Sequence, residues 1–361
     1  MNAAAPGSTP LADGIVIALD AMGGDHAPEI VVRGAHIALK RFPYLHFLMV
    51  GPEERIRPLL AKYPRLSRRA TIHHTDEAIS GDAKPSVALR TGRRSSMRLA
   101  IDAVAEGKAH CVVSAGNTGA LMAMAKFVLK MIPGIDRPAI ASYFPTRRGE
   151  SVMLDLGANV ECDADNLVQF ALMGDVFART VLGVAQPLIG LLNVGSEELK
   201  GRDAVREAAA RLRSTFSPVS FYGFVEGDDI GAGTVDVVVT DGFTGNIALK
   251  TAEGMAKLCM DFFRSAFQHS ILGRIGYLFA RGALKRLRSR LDPRRYNGAV
   301  LVGLQGIAVK SHGGTDAFGF ANAIAVAVEM NANGFLDKIQ DELARLHAHA
   351  ALEPKPQSAA V

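Results

Sequence analysis

Six polar loops of this chain contain the residue types that bind anions, and each loop directly follows an apolar run. Glycine lets the backbone approach an anion closely, and the N–H groups at a helix start carry a partial positive charge. Asparagine, threonine and lysine side chains add further donors. These loops therefore predict the binding of a phosphate-like anion. The loops are DAMGGDHAP (20–28), SAGNTGALM (114–122), DLGANVECD (155–163), NVGSEELKG (193–201), TDGFTGN (240–246) and KSHGGTD (310–316).

The runs on either side of the loops predict the elements that hold them in place. Strand-like and helix-like patterns alternate with short connections, which is typical of βαβ units with helices on both faces of a parallel sheet. We therefore predict an α/β fold whose loops lie at the carboxyl ends of the strands, where ligands bind. PAIASYFP (138–145) and SVMLD (151–155) flank TRRGE and predict an antiparallel hairpin in the mostly parallel sheet.

The candidate binding residues are spread over five of the six loops. For any single loop the alternative is a tight strand-to-helix turn, but six such loops make that reading hard to sustain. None matches the phosphate loop that ends in Gly-Lys-Ser/Thr, or the G-x-G-x-x-G fingerprint, which disfavours ATP and dinucleotides. We predict these substrate- or phosphate-binding residues: Gly23, Gly24, Asp25, Ser114, Gly116, Asn117, Thr118, Gly119, Asn159, Asp241, Thr244, Gly245 and His312.

Composition and length predict a cytoplasmic globular enzyme. The chain has 361 residues, 48% of them hydrophobic, and no stretch reaches the roughly 18 uninterrupted apolar residues of a membrane span. The first 13 residues lack the basic start and apolar block of a signal peptide. Three scattered cysteines predict neither a disulfide framework nor a metal cluster, and no cofactor is expected. One α/β domain over 14–345, with flexible tails at 1–13 and 348–361, is the predicted organisation.

Taken together and in order, the loop motifs resemble those of the bacterial phosphate acyltransferases of phospholipid synthesis, over about residues 15–335. That family makes acyl phosphate from acyl-acyl carrier protein and orthophosphate. The resemblance implies an α/β/α sandwich like that of phosphate acetyltransferases and isopropylmalate dehydrogenases. It also implies a homodimer that associates peripherally with the inner face of the membrane, and a downstream glycerol-3-phosphate acyltransferase as a further partner.

Under this resemblance, Lys200 and Asn246 are the predicted catalytic residues. The Lys200 ammonium would hold phosphate as a point charge, whereas its alternative is an exposed lysine in a helical turn. Asn246 would donate to the phosphate or to the oxyanion of the tetrahedral intermediate, and its alternative is a helix N-cap. Asp241 is predicted to orient the loop that carries Asn246.

Other polar residues are weaker candidates. Asp20 and Asp25 could bind a metal, but two carboxylates without further ligands favour loop hydrogen bonding. His26 and His312 are interpreted as structural or substrate-contacting residues. Cys162 could carry an acyl group, but the family transfers the acyl group directly, so Cys162 is predicted to be a bystander.

A basic amphipathic helical segment is predicted at about 255–295. Between residues 262 and 295 the sequence contains nine Lys or Arg residues and one acidic residue, Asp292, and apolar residues are interleaved with them. This mixture suits contact with an anionic membrane surface or an acidic carrier protein. The alternative is a helix whose apolar side packs against its copy in a dimer while its charges are solvated. No nucleic-acid-binding motif accompanies the charges, so nucleic acid is not an expected partner. The predicted contact residues are Ile271, Leu272, Ile275, Leu278, Arg281, Lys285 and Arg286.

Two other functions compete with this interpretation. A phosphate acetyl- or butyryltransferase that uses acyl-coenzyme A shares the same anion-binding logic. A noncatalytic membrane scaffold of lipid synthesis would explain the basic segment but not the six loops.

Overall fold

The computed structural model describes residues 14–214, 219–268, 271–290 and 292–352. The side chains of 268, 271, 273–274, 288–290 and 345–352 are not described. The predicted tail at 1–13 therefore lies outside the described residues.

Within the described residues, eleven strands form one sheet in the order β3-β2-β1-β4-β11-β10-β5-β6-β9-β7-β8. The strands are β1 (Val16–Asp20), β2 (His46–Gly51), β3 (Ala70–His74), β4 (Cys111–Ser114), β5 (Ala139–Thr146), β6 (Gly149–Leu154), β7 (Leu188–Leu192), β8 (Ser220–Val225), β9 (Val237–Val239), β10 (Ala299–Val302) and β11 (Ile307–Lys310).

Helices follow most of the strands. They are α1 (Glu29–Arg41), α2 (Glu53–Ala61), α3 (Pro64–Ser67), α4 (Pro85–Thr91), α5 (Ser96–Ala105), α6 (Thr118–Leu129), α7 (Ala164–Val181), α8 (Asp203–Leu212), α9 (Gly227–Ala232), α10 (Gly242–Gln268), α11 (Ile271–Arg290), α12 (Ala317–Ala332) and α13 (Phe335–Leu352), with a 3₁₀ turn at Pro293–Tyr296. Helix α13 includes residues 348–352, the beginning of the predicted second tail.

Buried side chains cover both faces of the sheet, as an α/β/α sandwich requires. Along β1, Ile17 and Leu19 pack in one core with α1, α7 and α12, whereas Ala18 packs in a second core with α5 and α6. This alternation follows from the period of two along a strand. The predicted fold class is confirmed.

The sheet is mostly parallel, but the four neighbouring strands in its middle, β11, β10, β5 and β6, pair antiparallel with one another. β10 pairs antiparallel with both β11 and β5, and β5 forms an antiparallel hairpin with β6. The predicted hairpin at 138–155 is therefore confirmed. Three antiparallel pairings lie between β11 and β6, so the β1–β4–β11 group runs opposite to the β6–β9–β7 group. The six loops do follow the strands, but in two sets that approach the middle of the sheet from opposite directions.

The described part of the predicted basic segment is helical. It comprises the end of α10, all of α11 and the 3₁₀ turn. Leu272 and Phe279 of α11 are 81% and 88% exposed. Among the described residues, no helix has both the length and the hydropathy that a membrane span requires.

Candidate active site

A cleft of about 650 Å³ opens between the two sets of loops, over the central strands β5 and β10. Its lining comes from the loops after β4, β6 and β11, from β5, from α10 and from the 3₁₀ turn, and it combines polar with apolar side chains. The polar lining includes Thr118, Asn246, Lys250, Glu253, Lys257, Arg294, Lys310 and His312, and the apolar lining includes Ile140, Tyr143, Phe144, Pro145, Leu156, Val160, Phe243 and Leu249.

The start of α10 is fixed by Asp241, which precedes the helix. Its buried carboxylate accepts hydrogen bonds from the Thr244 backbone N–H, at 2.9 Å, and from the Thr244 hydroxyl. The Arg202 guanidinium pairs with the same carboxylate. A side-chain acceptor at this position satisfies an otherwise unpaired helix N–H. Asp241 therefore orients the turn that presents Asn246, which is exposed in the cleft.

A second buried carboxylate, Asp155, organises the loop after β6. Its oxygens accept the backbone N–H groups of Ile140, at 2.8 Å, and of Ala158 and Asn159, at 3.0 and 2.7 Å. Burial raises the pKa of Asp155, and these hydrogen bonds oppose the rise. The side-chain amide of Asn159 donates to the Pro138 carbonyl and to Asp155. Asn159 therefore holds the loop together.

Two glycines let this loop and α10 approach closely. A Cβ at Gly245 would lie 1.9 Å from the carbonyl oxygen of Asp155, so no larger residue fits without a backbone shift. Gly157 has φ +128°, and a Cβ there would lie 3.6 Å from that of Asn246. The position of Asn246 is thus set by backbone-to-backbone packing.

The loop after β4 is held by its own polar groups. The Asn117 side-chain oxygen caps α6 by accepting the Ala120 N–H at 2.8 Å. Its amide nitrogen donates to the carbonyl oxygens of Gly81 and Ala83. A Cβ at Gly119 would lie 2.6 Å from Pro85, so Gly119 also serves packing. Thr118 at the helix start lines the cleft.

Behind that loop lies a buried carboxylate, Asp20, at the end of β1. The hydroxyls of Ser114 and Ser96 each donate to it at 2.6 Å. Ser114 also accepts the Gly116 N–H at 3.0 Å. Burial raises the pKa of Asp20, and its hydrogen bonds oppose this. A Cβ at Gly23 would lie 2.7 Å from the Gly116 backbone nitrogen, so the loop after β1 packs closely against the loop after β4.

The loop after β11 contributes Lys310 and His312. The Lys310 ammonium donates to the carbonyl oxygens of Ala115 and Ser311. Asn297 fixes the loop by donating to the Ser311 hydroxyl at 2.8 Å and accepting the His312 N–H at 2.9 Å. Burial and the nearby Lys250 ammonium lower the pKa of His312. The Gly314 N–H donates to Nδ1, so the neutral ring carries its proton on Nε2.

Comparison with known proteins agrees with the geometry. A sequence model of the family described as fatty acid synthesis protein matches residues 15–338. A phosphate acyltransferase from Rhodospirillum centenum is 68% identical over 347 residues, which are 95% of this chain and 98% of that protein. One from Paramagnetospirillum magneticum is 62% identical over 332 residues, which are 92% and 95% of the two chains.

The chain belongs to the phosphate acyltransferase family. The family and enzyme class that the sequence predicts are therefore confirmed. A phosphotransacetylase from Streptococcus pyogenes superposes with a TM-score of 0.61 at 20% identity, over 89% of this chain and 95% of that chain. The EutD phosphotransacetylase from Staphylococcus aureus superposes with a TM-score of 0.56 at 16% identity, over 88% of this chain and 94% of that chain. At these identities the two structures show a shared fold.

The predicted site residues of this phosphate acyltransferase family member fall into three groups. Thr118, Asn246 and His312 line the cleft. Others support its loops from behind: Gly23, Gly24, Ser114, Gly116, Asn117, Gly119, Asn159, Asp241, Thr244 and Gly245. Asp25 belongs to this second group, because its N–H donates to the Gly313 carbonyl of the loop after β11 at 3.0 Å.

Lys200 forms the third group, because it does not line the cleft. It is exposed, and its ammonium lies 2.7 Å from the Glu197 carboxylate of the same loop. The hydrogen bond to Glu197 raises the pKa of Lys200. Arg202, which follows this loop, pairs with Asp241 at the start of α10. The catalytic role of Lys200 remains a prediction.

Three lysines that are not among the predicted site residues line the cleft: Lys250, Lys257 and Lys310. Lys310 opens the KSHGGTD loop, in which we singled out His312, and Lys250 lies one helical turn after Asn246. The spacing of Asn246 and Lys250 on one helix face is a signal that could have identified Lys250.

Burial, followed by the charges of Asp155 and Asp241, raises the pKa of Cys162 to about 12, which disfavours a thiolate.

Proposed function

We propose that this enzyme transfers a long-chain acyl group from acyl-acyl carrier protein to orthophosphate and releases acyl phosphate for phospholipid synthesis. One observation carries the proposal: a single cleft is lined both by four cationic side chains and by many apolar ones. The cations are Lys250, Lys257, Arg294 and Lys310. The cationic side chains suit phosphate, and the apolar side chains suit a hydrocarbon chain.

The chemistry fits the groups that the cleft provides. A substantial share of orthophosphate is HPO₄²⁻ at neutral pH, and this dianion needs no strong base to attack. A phosphate oxygen bonds to the thioester carbon, the carbon–sulfur bond breaks, and the proton of HPO₄²⁻ ends on the released thiol. A thiol of pKa roughly 8.5 is a good leaving group. The protein must align the reactants and stabilise the oxyanion.

In this proposal the Asn246 amide donates a hydrogen bond to the oxyanion or to phosphate. Asn246 is one turn inside α10, next to the Asp155 loop, and its side chain is accessible from the cleft. Lys200 remains a proposed phosphate ligand, since a change in its loop could exchange the Glu197 partner for phosphate.

A basic recess supports an acidic protein as the acyl donor. This recess of about 1120 Å³ adjoins the cleft, because Tyr296 lines both. Lys285 and Arg286 of α11 lie in it and contribute to its positive charge. Its cationic lining is Arg41, Arg148, Lys285, Arg286 and Arg295. Charge complementarity of this kind steers an acidic partner toward a site. We therefore assign Lys285 and Arg286 to the carrier-protein contact.

The experiment that tests this function compares two thioesters. Thiol release from palmitoyl-acyl carrier protein should require phosphate and should exceed release from palmitoyl-coenzyme A. A preference for short acyl-coenzyme A would instead indicate a phosphate acetyl- or butyryltransferase. Absence of thiol release from either thioester would indicate a noncatalytic scaffold.

We further propose that a homodimer acts in the cytoplasm at the inner membrane face and supplies acyl phosphate to a glycerol-3-phosphate acyltransferase. The support for the membrane contact is the separation of features along α11. Exposed apolar residues lie near its start, whereas the cations of the recess lie near its end. The apolar part comprises Leu272, Ile275 and Leu278 with Phe279, and Arg281 follows. The helix also includes Ile271, whose side chain is outside the described residues.

Replacing both Leu272 and Ile275 by glutamate should weaken binding to anionic vesicles. Shallow insertion of apolar side chains and attraction of nearby cations give reversible attachment, which salt screens. Cosedimentation with phosphatidylglycerol vesicles at low salt should therefore fall markedly, while acyl transfer in solution continues. The control Phe127→Glu/Tyr222→Glu adds the same charge at exposed apolar positions elsewhere and should still bind. If the α11 variant dissociates the dimer or loses activity, the segment is structural and the membrane proposal fails.

A further inference from the structure

We propose that Lys310 binds the phosphate nucleophile in the cleft. This inference rests on the proposed function and names the cation that the reaction uses. Three observations support it: the position of the Lys310 ammonium, its hydrogen bonds, and the ion pairs or exposure of the other cations in the cleft.

The Lys310 ammonium lies where the loops after β4 and β11 meet. Lys310 ends β11, and its Nζ is 3.5 Å from the Ala115 carbonyl oxygen of the β4 loop and in contact with the Ser311 carbonyl oxygen. An ammonium has three N–H donors, and these carbonyls take two. One donor thus remains for a ligand in the cleft that Lys310 lines.

The other cations of the cleft are differently placed. Lys250 lies 2.8 Å from Glu253, and Arg294 pairs with both Asp292 and Asp316 at 2.6 Å. Lys257 is exposed on α10. Lys310 is half-buried, and among the described residues it forms no ion pair. A half-buried cation whose hydrogen bonds go to neutral oxygens interacts more strongly with an incoming anion than a solvated or ion-paired one does.

Charges around Lys310 set its response to pH. Burial lowers its pKa to about 8, with Asp20 and Asp25 opposing the shift and Lys250 adding to it. The ammonium is therefore mostly charged at pH 7 and loses its proton as the pH rises through about 8. Bound phosphate would supply the missing countercharge and favour the protonated form.

The wild-type enzyme offers the first test, because it requires no substitution. The KM for phosphate should rise as the pH increases through about 8, while the KM for the acyl donor changes little. Lys310→Met should raise the phosphate KM about tenfold or more and abolish this pH dependence. Lys310→Arg should keep phosphate binding and move the rise to higher pH, since arginine stays charged.

Two comparisons make the test specific. Lys200→Met should retain the pH dependence even if it weakens phosphate binding, and the exposed Lys62→Met should match the wild type throughout. Isothermal titration with inorganic phosphate reports binding without turnover, so it still tests Lys310 if the wild type makes no acyl phosphate and the proposed function fails. A normal phosphate affinity in folded Lys310→Met, or a wild-type pH dependence in that variant, would overturn the inference.

Discussion

Replacing Asn246 by alanine is expected to lower kcat for acyl transfer by about a hundredfold or more. Loss of one preorganised donor to a developing oxyanion typically has an effect of this size. The Asn246 side chain is exposed in the cleft, so its removal leaves no buried group without a partner. Thermal unfolding should therefore be close to that of the wild type, and steady-state thiol release should show the loss.

Two further substitutions, one at Asn246 and one at Cys162, test the mechanism. Asn246→Asp keeps the size but replaces a donor by a charge that repels phosphate, so it should be at least as impaired as the alanine variant. Cys162→Ser should remain active, because the Cys162 thiol is not ionised at neutral pH and direct transfer needs no acyl-enzyme. Wild-type kcat in Asn246→Ala, or a stable acyl group on Cys162, would refute the mechanism.

The second large effect is expected from Gly245→Ala. The new Cβ would lie 1.9 Å from the Asp155 carbonyl oxygen, so either α10 or the Asp155 loop must shift. Overpacking of this kind costs about 1–3 kcal/mol, and misplacing a reacting group by about 1 Å can lower a rate by a hundredfold. We therefore expect both a lower free energy of unfolding in urea and a kcat reduced by about tenfold to a hundredfold.

The matched control is Gly254→Ala in the same helix. No atom lies within 4 Å of a Cβ built there, and alanine is a better helix former than glycine by about 1 kcal/mol. This variant should be as stable as the wild type or more so, with unchanged kcat. Equal behaviour of the two alanine variants would contradict the close approach at Gly245.

Local patterns were sufficient to predict the elements around the site. The apolar runs and their polar loops predicted the strands, and Asp241 orients its loop as predicted. The cap of α10 is Asp241, however, and not Asn246, for which a cap was the alternative role. The direction of the strands was not predictable in the same way. It depends on β10 pairing with both β5 and β11, and β10 is about 160 residues from β5 along the chain.

The roles of individual site residues depended on tertiary contacts. Asn117 was predicted as a phosphate donor, but its amide holds residues 81 and 83, which no local pattern indicates. Lys310 is half-buried because β11 lies between β4 and β10. The partner of Lys200, in contrast, is three residues away, so the Glu197 ion pair was visible in the sequence.

The most direct test of the account is the identity of the product formed with ¹⁸O-labelled orthophosphate and palmitoyl-acyl carrier protein. Mass spectrometry should find palmitoyl phosphate that retains all of the label, formed in step with free carrier thiol, because a phosphate oxygen attacks the thioester carbon. Release of thiol with unlabelled palmitate and no palmitoyl phosphate would show that water is the nucleophile, and would contradict phosphate acyl transfer by this protein.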